Sequence, residues 1–210
     1  VQADRFHERF LNHCMTANFN NSALSIAIVG GGATGVELAA EIHHAVALLK
    51  LYGHEQLDRS RLQVHVIEAG PRILPALKEE IATAAQTELE KMGVKVHTNT
   101  KVKAADASGF VTSDDSRIDA DILVWAAGIK APDILSTLEL DANRINQLVV
   151  NEQLQTADPA VFAIGDCCAC ELSPGKNIPP RAQSAQQMAM HMAANLKRTL
   201  AGQPLQAFKY

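Results

Sequence analysis

From residue 24 to residue 126 the chain alternates short apolar runs with stretches whose apolar positions recur at helical spacing. Leu24-Ser25-Ile26-Ala27-Ile28-Val29 is short and partly β-branched, as a strand buried on both faces of a parallel sheet should be. Gly35, Ala39, Ile42, Val46 and Leu49 follow at spacings of four and three, which sets them on one face of a helix. Residues 62–67 form the next strand candidate, and a second helical stripe uses Leu77, Ile81, Ala85, Leu89 and Met92, with Gly93 as its stop. Residues 94–98 alternate as a short strand. Phe110-Val111-Thr112 and Arg117-Ile118-Asp119 flank a turn-rich stretch and predict a hairpin. Residues 121–126 read as another buried strand, running into Ala127-Gly128, where small residues let a ligand or backbone approach closely. The pattern predicts an α/β, Rossmann-like fold: a parallel sheet flanked by helices, with a β-meander inserted before the last parallel strand.

The flanks read differently. A helix is expected over residues 4–15, then a polar linker at 18–22. Beyond residue 129 the pattern predicts short strands at 143–150, 153–156 and 161–164, the last ending at Gly165-Asp166. A proline-rich loop at 173–180 then feeds a helix over 181–200, with Ala185, Met188, Met192 and Leu196 on its apolar face. The methionines read as core filling rather than sulfur chemistry. Residues 206–210 look like the start of another strand. The chain begins inside a helix and stops at that strand, so it is expected to be a piece of a longer protein.

Composition narrows the classes. The 210 residues are 47% hydrophobic and 20% charged, ordinary for a globular protein, with a formal net charge of −4. No basic run marks a nucleic-acid footprint, and no apolar run reaches the roughly 18 residues of a membrane span. Asp4, Arg5, His7, Glu8 and Arg9 interrupt any secretion-signal core. Of the four cysteines, Cys14 reads as a buried small hydrophobe. Cys167, Cys168 and Cys170 form one cluster, which lacks the second ligand pair of a zinc site. Cys167 and Cys170 do have C-x-x-C spacing, so a redox pair stays open beside a plain reduced cluster. His43 and His44 are adjacent on a helix and cannot share a face, so no metal site is expected.

The chemistry concentrates in residues 30–35. Gly30, Gly32 and Gly35 have G-x-G-x-x-G spacing between a strand and a helix. Gly30 permits the tight turn, Gly32 lets a pyrophosphate approach the backbone, and Gly35 lets the helix pack near the strand. The helix start then attracts phosphate through its exposed N–H groups and dipole. Gly30, Gly31, Gly32, Thr34 and Gly35 are therefore the candidate cofactor-binding residues of this turn. Glu68, ending the next strand, is placed to accept hydrogen bonds from an adenosine ribose. Its charge favours NADH over NADPH, although Arg72 lies only four residues on. The interval from turn to acid is long, and residues 53–61 read as an insertion. The alternative is a glycine turn that only packs a helix on a sheet.

Four segments, Val29-Gly30-Gly31-Gly32-Ala33-Thr34-Gly35-Val36-Glu37-Leu38-Ala39, Val124-Trp125-Ala126-Ala127-Gly128-Ile129-Lys130-Ala131-Pro132, Ala163-Ile164-Gly165-Asp166-Cys167 and Ala182-Gln183-Ser184-Ala185-Gln186-Gln187, resemble those of type II NADH dehydrogenases. These are single-subunit, non-proton-pumping NADH:quinone oxidoreductases within the pyridine nucleotide-disulfide oxidoreductase superfamily. The resemblance runs over nearly all the chain. It implies that residues 23–128 are an NADH-binding domain inserted into an FAD-binding domain, of which 1–22 and 129–210 are parts. It implies FAD and NAD as cofactors, with Ala127 and Gly128 among the cofactor-binding residues, and Asp166 at the flavin's ribityl and phosphate region. It places Gln183 beside the flavin and, with Gln187, at the quinone, and it places Glu37 near nicotinamide and flavin as a candidate catalytic residue. The expected partners are NADH, a membrane quinone and a membrane surface, reached through a C-terminal segment at the cytoplasmic face of a bacterial inner membrane. The family's FAD glycine motif and that segment are not in these residues, so the chain itself is expected to bind NADH without turnover. Unpaired sheet edges make a homo-oligomer conceivable. Two rivals remain: another FAD-dependent pyridine-nucleotide reductase, or a non-catalytic NAD-binding module.

Overall fold

The computed structural model describes residues 2–53, 56 and 60–210. They divide into two compact units, residues 1–128 and 129–210.

In the first unit α1 (Gln2–Asn20) precedes β1 (Leu24–Val29), α2 (Ala33–Leu49), β2 (Leu62–Ile67), α3 (Glu79–Lys91) and β3 (Lys95–His97). A meander of β4 (Val102–Asp106), β5 (Gly109–Thr112) and β6 (Arg117–Asp119) then leads to β7 (Ile122–Trp125). The main sheet has the order β3-β2-β1-β7, all parallel, with Ile26 opposite both Val64 and Ile122. Strand alternation sorts the side chains into two cores. Ile26, Ile28, Val64, Val66 and Ile122 pack with Phe10 and Cys14 of α1, Ile42 and Val46 of α2, and Leu89 of α3. Ala27, Val29 and Ile67 point the other way, against Phe110 and Ala120 of the meander. Each fully buried Val, Leu or Ile contributes about 1.5–3 kcal/mol to this packing. β1, in the middle, is apolar on both faces for that reason.

Several boundaries differ from expectation, each for a local reason. The α1 helix runs through most of the expected linker and stops at Asn21, which takes φ +56. There Ser22 N–H bonds Ala17 O and Asn21 N–H bonds Asn18 O, the paired bonds of a Schellman ending. Gly93 (φ +97) ends α3 in the same way. Leu77 lies before α3, and Leu77 and Ile81 are exposed; Ala82 and Leu89 are the buried positions. The expected hairpin gains a third strand, β4, whose Lys103-Ala104-Ala105-Asp106 run is exposed and carries no alternating signal. Trp125, placed in a buried strand by its neighbours, is 61% exposed. The expected insertion at 53–61 lies outside the described residues at 54, 55 and 57–59. By contact, α1 groups with the first unit, where Phe10, Cys14 and Ala17 enter its core.

In the second unit β8 (Leu148–Val150) pairs parallel with β9 (Cys168–Ser173), which pairs antiparallel with β10 (Lys176–Asn177). Residues 153–156 and 161–164 are not strands; one isolated bridge, Gln155 with Phe162, joins them. The expected loop at 173–180 instead contains the turn of the β9–β10 hairpin. The α4 helix (Ala182–Leu200) buries Ser184, Met188 and Asn195, while Leu196 is exposed. Residues 206–210 are not a strand. The buried Asn195 amide holds that segment on α4: its Nδ2 donates to Gln206 O (2.9 Å) and its Oδ1 accepts from Gln206 N–H (3.0 Å).

Candidate functional site

The carboxyl ends of β1, β2 and β7 meet where strand order reverses, the usual position for a ligand in an open α/β sheet. Gly30 takes φ +115, and a Cβ there would stand 2.8 Å from the Ala126 and Ala127 backbone. A Cβ at Gly35 would come within 1.9 Å of Gly30 O. Gly32, in contrast, has nothing within 4 Å of an added Cβ. It caps α2 with no side-chain hydrogen bond, so the first N–H groups of α2 have no side-chain cap. Two glycines are thus required by packing, and the third leaves room for an anion.

Glu68 braces the turn. Its Oε2 accepts from Gly31 N–H and its Oε1 from Gly70 N–H, both at 2.7 Å. Gly31 O in turn accepts from Leu74 N–H at 2.7 Å. The carboxylate expected at a ribose is therefore already anchored to backbone, and its remaining lone pairs are what a ribose could use. Arg72 is committed elsewhere: it donates to Leu74 O, Pro75 O and Leu77 O at 3.0–3.1 Å.

Beside the turn lies a cleft of about 220 Å³, bounded by Val29, Gly30, Ile67, Glu68, Trp125 and Ala127, and on the meander side by Thr100, Lys101 and Val102. Trp125 Nε1–H donates to Ala127 O at 2.9 Å. Gly128 takes φ +75 with open space around it. Gly30, Gly31, Glu68 and Ala127 are thus brought together. Thr34 and Glu37 are exposed on the first turns of α2, and neither lines the cleft. Sequence reading missed Thr100, Lys101, Val102 and Trp125. Only the lone tryptophan at a strand end carried a usable signal.

Below this site on β2 and β3, His65 and His97 stack with rings 4° from parallel and Nδ1 to Nε2 at 3.0 Å. Burial, and then the neighbouring charges of His97 and Lys95, push His65 down to about 4. Burial and Lys95 also lower His97.

In the second unit Gly165 (φ +71) packs against Ala185 at the start of α4, and its N–H lies 3.3 Å from Met188 Sδ. Asp166 is exposed in this turn, with its carbonyl accepting from Gln147 Nε2 (2.9 Å). The start of α4 has no side-chain cap. Gln183 and Gln187 are exposed on it. Gln187, but not Gln183, lines a cavity of about 620 Å³ with Met190, His191, Gln206, Phe208 and Lys209. All four cysteines are free, and burial pushes Cys168 up to about 12, which keeps that thiol protonated and a poor nucleophile. Among the described residues no His, Cys, Asp and Glu side chains gather as a metal site.

A parallel sheet, a glycine turn at its switch point and an acidic residue beside it define a Rossmann-like nucleotide-binding protein. The chain belongs to the pyridine nucleotide-disulphide oxidoreductase family, whose profile matches residues 2–189. It is 48% identical over 193 residues to a type II NADH:quinone oxidoreductase of Haemophilus influenzae, covering 91% of this chain and 44% of that protein. It is 30% identical to the protein of the same name from Staphylococcus saprophyticus, covering 97% of this chain and 51% of that one. The chain thus spans about half the length of the curated relatives it matches. Among solved structures, NDH2 of Plasmodium falciparum in complex with NADH superposes with a TM-score of 0.77 at 19% identity, over 93% of this chain and 56% of that one.

Proposed function

We propose that residues 23–128 bind NADH for a type II NADH:quinone oxidoreductase, with residues 1–22 and 129–210 contributing to its FAD domain. The observation that carries the NADH reading is the braced turn: a 2.7 Å Gly31–Glu68 bond beside an uncapped helix start with open space at Gly32. The pyrophosphate lies at Gly32 and the first N–H groups of α2, where the dipole favours anions. Glu68 takes the adenosine ribose with its free lone pairs. Arg72 donates to three carbonyls rather than reaching toward a 2′-phosphate, and the Glu68 charge repels such a phosphate, so NADH is preferred to NADPH.

The flavin fits the second unit: Gly165 and Asp166 present a carboxylate beside the uncapped start of α4, a setting for ribityl hydroxyls and phosphate. A bound flavin would take the hydride and relay two electrons to quinone. Gln187 faces an open cavity with Met190 and Phe208, where an amide can donate to a quinone carbonyl without adding charge. Gln183 lies one turn earlier, toward the flavin end, and Glu37 flanks the nicotinamide. Among the described residues no helix is long and apolar enough to cross a membrane; the whole protein meets its quinone at the cytoplasmic membrane surface through a segment beyond these residues, and self-association is compatible with that placement.

Burial raises the Cys170 thiol, one half of the Cys167–Cys170 spacing, and this counts against a disulfide reductase. The test is NADH oxidation by the whole flavoprotein with a quinone or a disulfide as acceptor. Quinone reduction is expected, and preference for the disulfide would defeat the reading. Purified whole protein without flavin would favour a non-catalytic NAD module instead.

A further inference from the structure

We propose that His65 and His97 are positioning residues for Glu68: their side-chain hydrogen bond fixes the end of β3, and the segment leaving β3 fixes the acid. The proposal rests on reading the glycine turn as an NADH site, and it adds a part of that site that the nucleotide need not touch.

The geometry starts at the sheet edge. β3 is the outermost strand of the parallel sheet and has three residues. Strand alternation sets His65, Lys95 and His97 on the meander face, with His65 in register with Ala27 of β1 and Lys95 of β3. The rings are 4° from parallel with centroids 5.2 Å apart, and His65 Nδ1 stands 3.0 Å from His97 Nε2. The near-parallel rings thus meet at their edges through an N–H···N hydrogen bond, in which one nitrogen donates and the other accepts. This bond ties β3 to β2 where their ladder ends. Apolar side chains would fill the same edge without desolvating polar nitrogens; the paired imidazoles add direction, which apolar packing lacks.

The segment after His97 is spent on Glu68. His97 O accepts from Glu68 N–H at 2.8 Å, and Thr100 N–H donates to Glu68 O at 2.9 Å. Between them Asn99, at φ +52, turns its N–H onto Gly70 O at 2.8 Å. Gly70 N–H is itself one of the two donors that aim the Glu68 carboxylate. Residues 97–100 therefore hold both the backbone of the acid and the residue that orients its side chain.

Protons act on this tie in two stages. Ala27 faces the pair from β1, and Phe110 and Ala120 of the meander pack over Ala27 and Ile67. Besides burial, the charges acting on the rings are positive, those of Lys95 and of the partner ring, so both rings are neutral at neutral pH. A first proton leaves the bond intact, because a charged ring still donates to a neutral one. A second leaves two N–H donors face to face, and the rings must part.

The test is calorimetric titration of the full chain, in variants shown to be folded by circular dichroism. At neutral pH, His65→Leu should weaken NADH binding about three- to tenfold, the worth of one intramolecular hydrogen bond. His65→Asn, whose amide stands where Nδ1 stood, should recover most of that loss. In a Glu68→Ala background His65→Leu should cost little more, because the pair acts through Glu68. With acid-stable NAD⁺, wild-type affinity should fall more steeply than that of His65→Asn as pH drops toward about 4, where His65 takes its proton. Carboxylates that titrate in this range are common to both proteins. Full affinity in folded His65→Leu, an undiminished loss in the Glu68→Ala background, or matching pH profiles for wild type and His65→Asn overturns the proposal and leaves the NADH reading standing. Wild-type chain that binds no NADH removes the NADH reading, and the proposal with it. If His65→Leu does not fold, the pH profile of His65→Asn decides the matter.

Discussion

A methyl group at Gly35 would sit 1.9 Å from the Gly30 carbonyl oxygen, whereas one at Gly32 would touch nothing. The two glycines therefore fail differently. Gly35→Ala is expected to destabilise the first unit by on the order of 3 kcal/mol, because backbone rather than a side-chain tip must move. Gly32→Ala, at φ −72, should fold with nearly unchanged melting temperature and still bind NADH more weakly. Thermal melts paired with NADH titrations check both; equal losses of stability in the two variants would sink the distinction. Glu68→Gln places an amide N–H₂ or a weaker acceptor against two N–H donors, at a cost of about 1–3 kcal/mol. Urea unfolding should show that loss without any ligand present. The spacing of Gly30, Gly32 and Gly35 was legible in the sequence because it is local. The double use of Glu68 was not, since Gly31 is 37 residues away and nothing in the sequence says which N–H groups will face a carboxylate.

At the scale of elements, periodicity identified β1, β2 and α2, because each buries a regular stripe; α4 and the β5–β6 hairpin were found as elements, although α4 buries Ser184, Met188 and Asn195 and leaves the expected Leu196 exposed. It failed where burial is irregular. In β9, Cys168, Ala169 and Cys170 are buried as small hydrophobes, whereas in sequence the Cys167–Cys170 spacing left a redox pair open. The exposed β4 carried no stripe at all. The paired strands β2 and β3 also make a pH-dependent element of the stacked histidines. His65 is lowered from 6.5 to about 4, and His97 is lowered as well. Above pH 6.5 neither the folded nor the unfolded chain holds the proton, and the pair has no effect. As pH falls through 6.5 the unfolded chain takes up protons that the folded state refuses until about 4, so stability is lost across that window. The urea midpoint should drop between neutral pH and pH 4, and drop less in His65→Gln. An identical drop in both would show that other groups govern acid stability.

For the whole molecule, the family was readable because its four motifs lie in turns and helix starts, where residue identity is dictated by backbone geometry. The cleft was not, since its walls come from β1, β2, β7 and the segment before β4. NADPH should bind at least about tenfold more weakly than NADH, a difference worth roughly 1.4 kcal/mol; Glu68→Ala should narrow it. Equal affinities in calorimetry would remove Glu68 as the discriminating group. The clamp of Asn195 on Gln206 has a consequence for proteolysis. Asn195 is 1% exposed, and the Gln206 backbone is the partner of both ends of its amide. A protease that cut before residue 206 would release a short peptide and leave the buried Asn195 Oδ1 without its Gln206 N–H, with His191 Nε2 (3.1 Å) as the remaining neighbour of Nδ2, and the second unit would then be digested faster than the nick itself suggests.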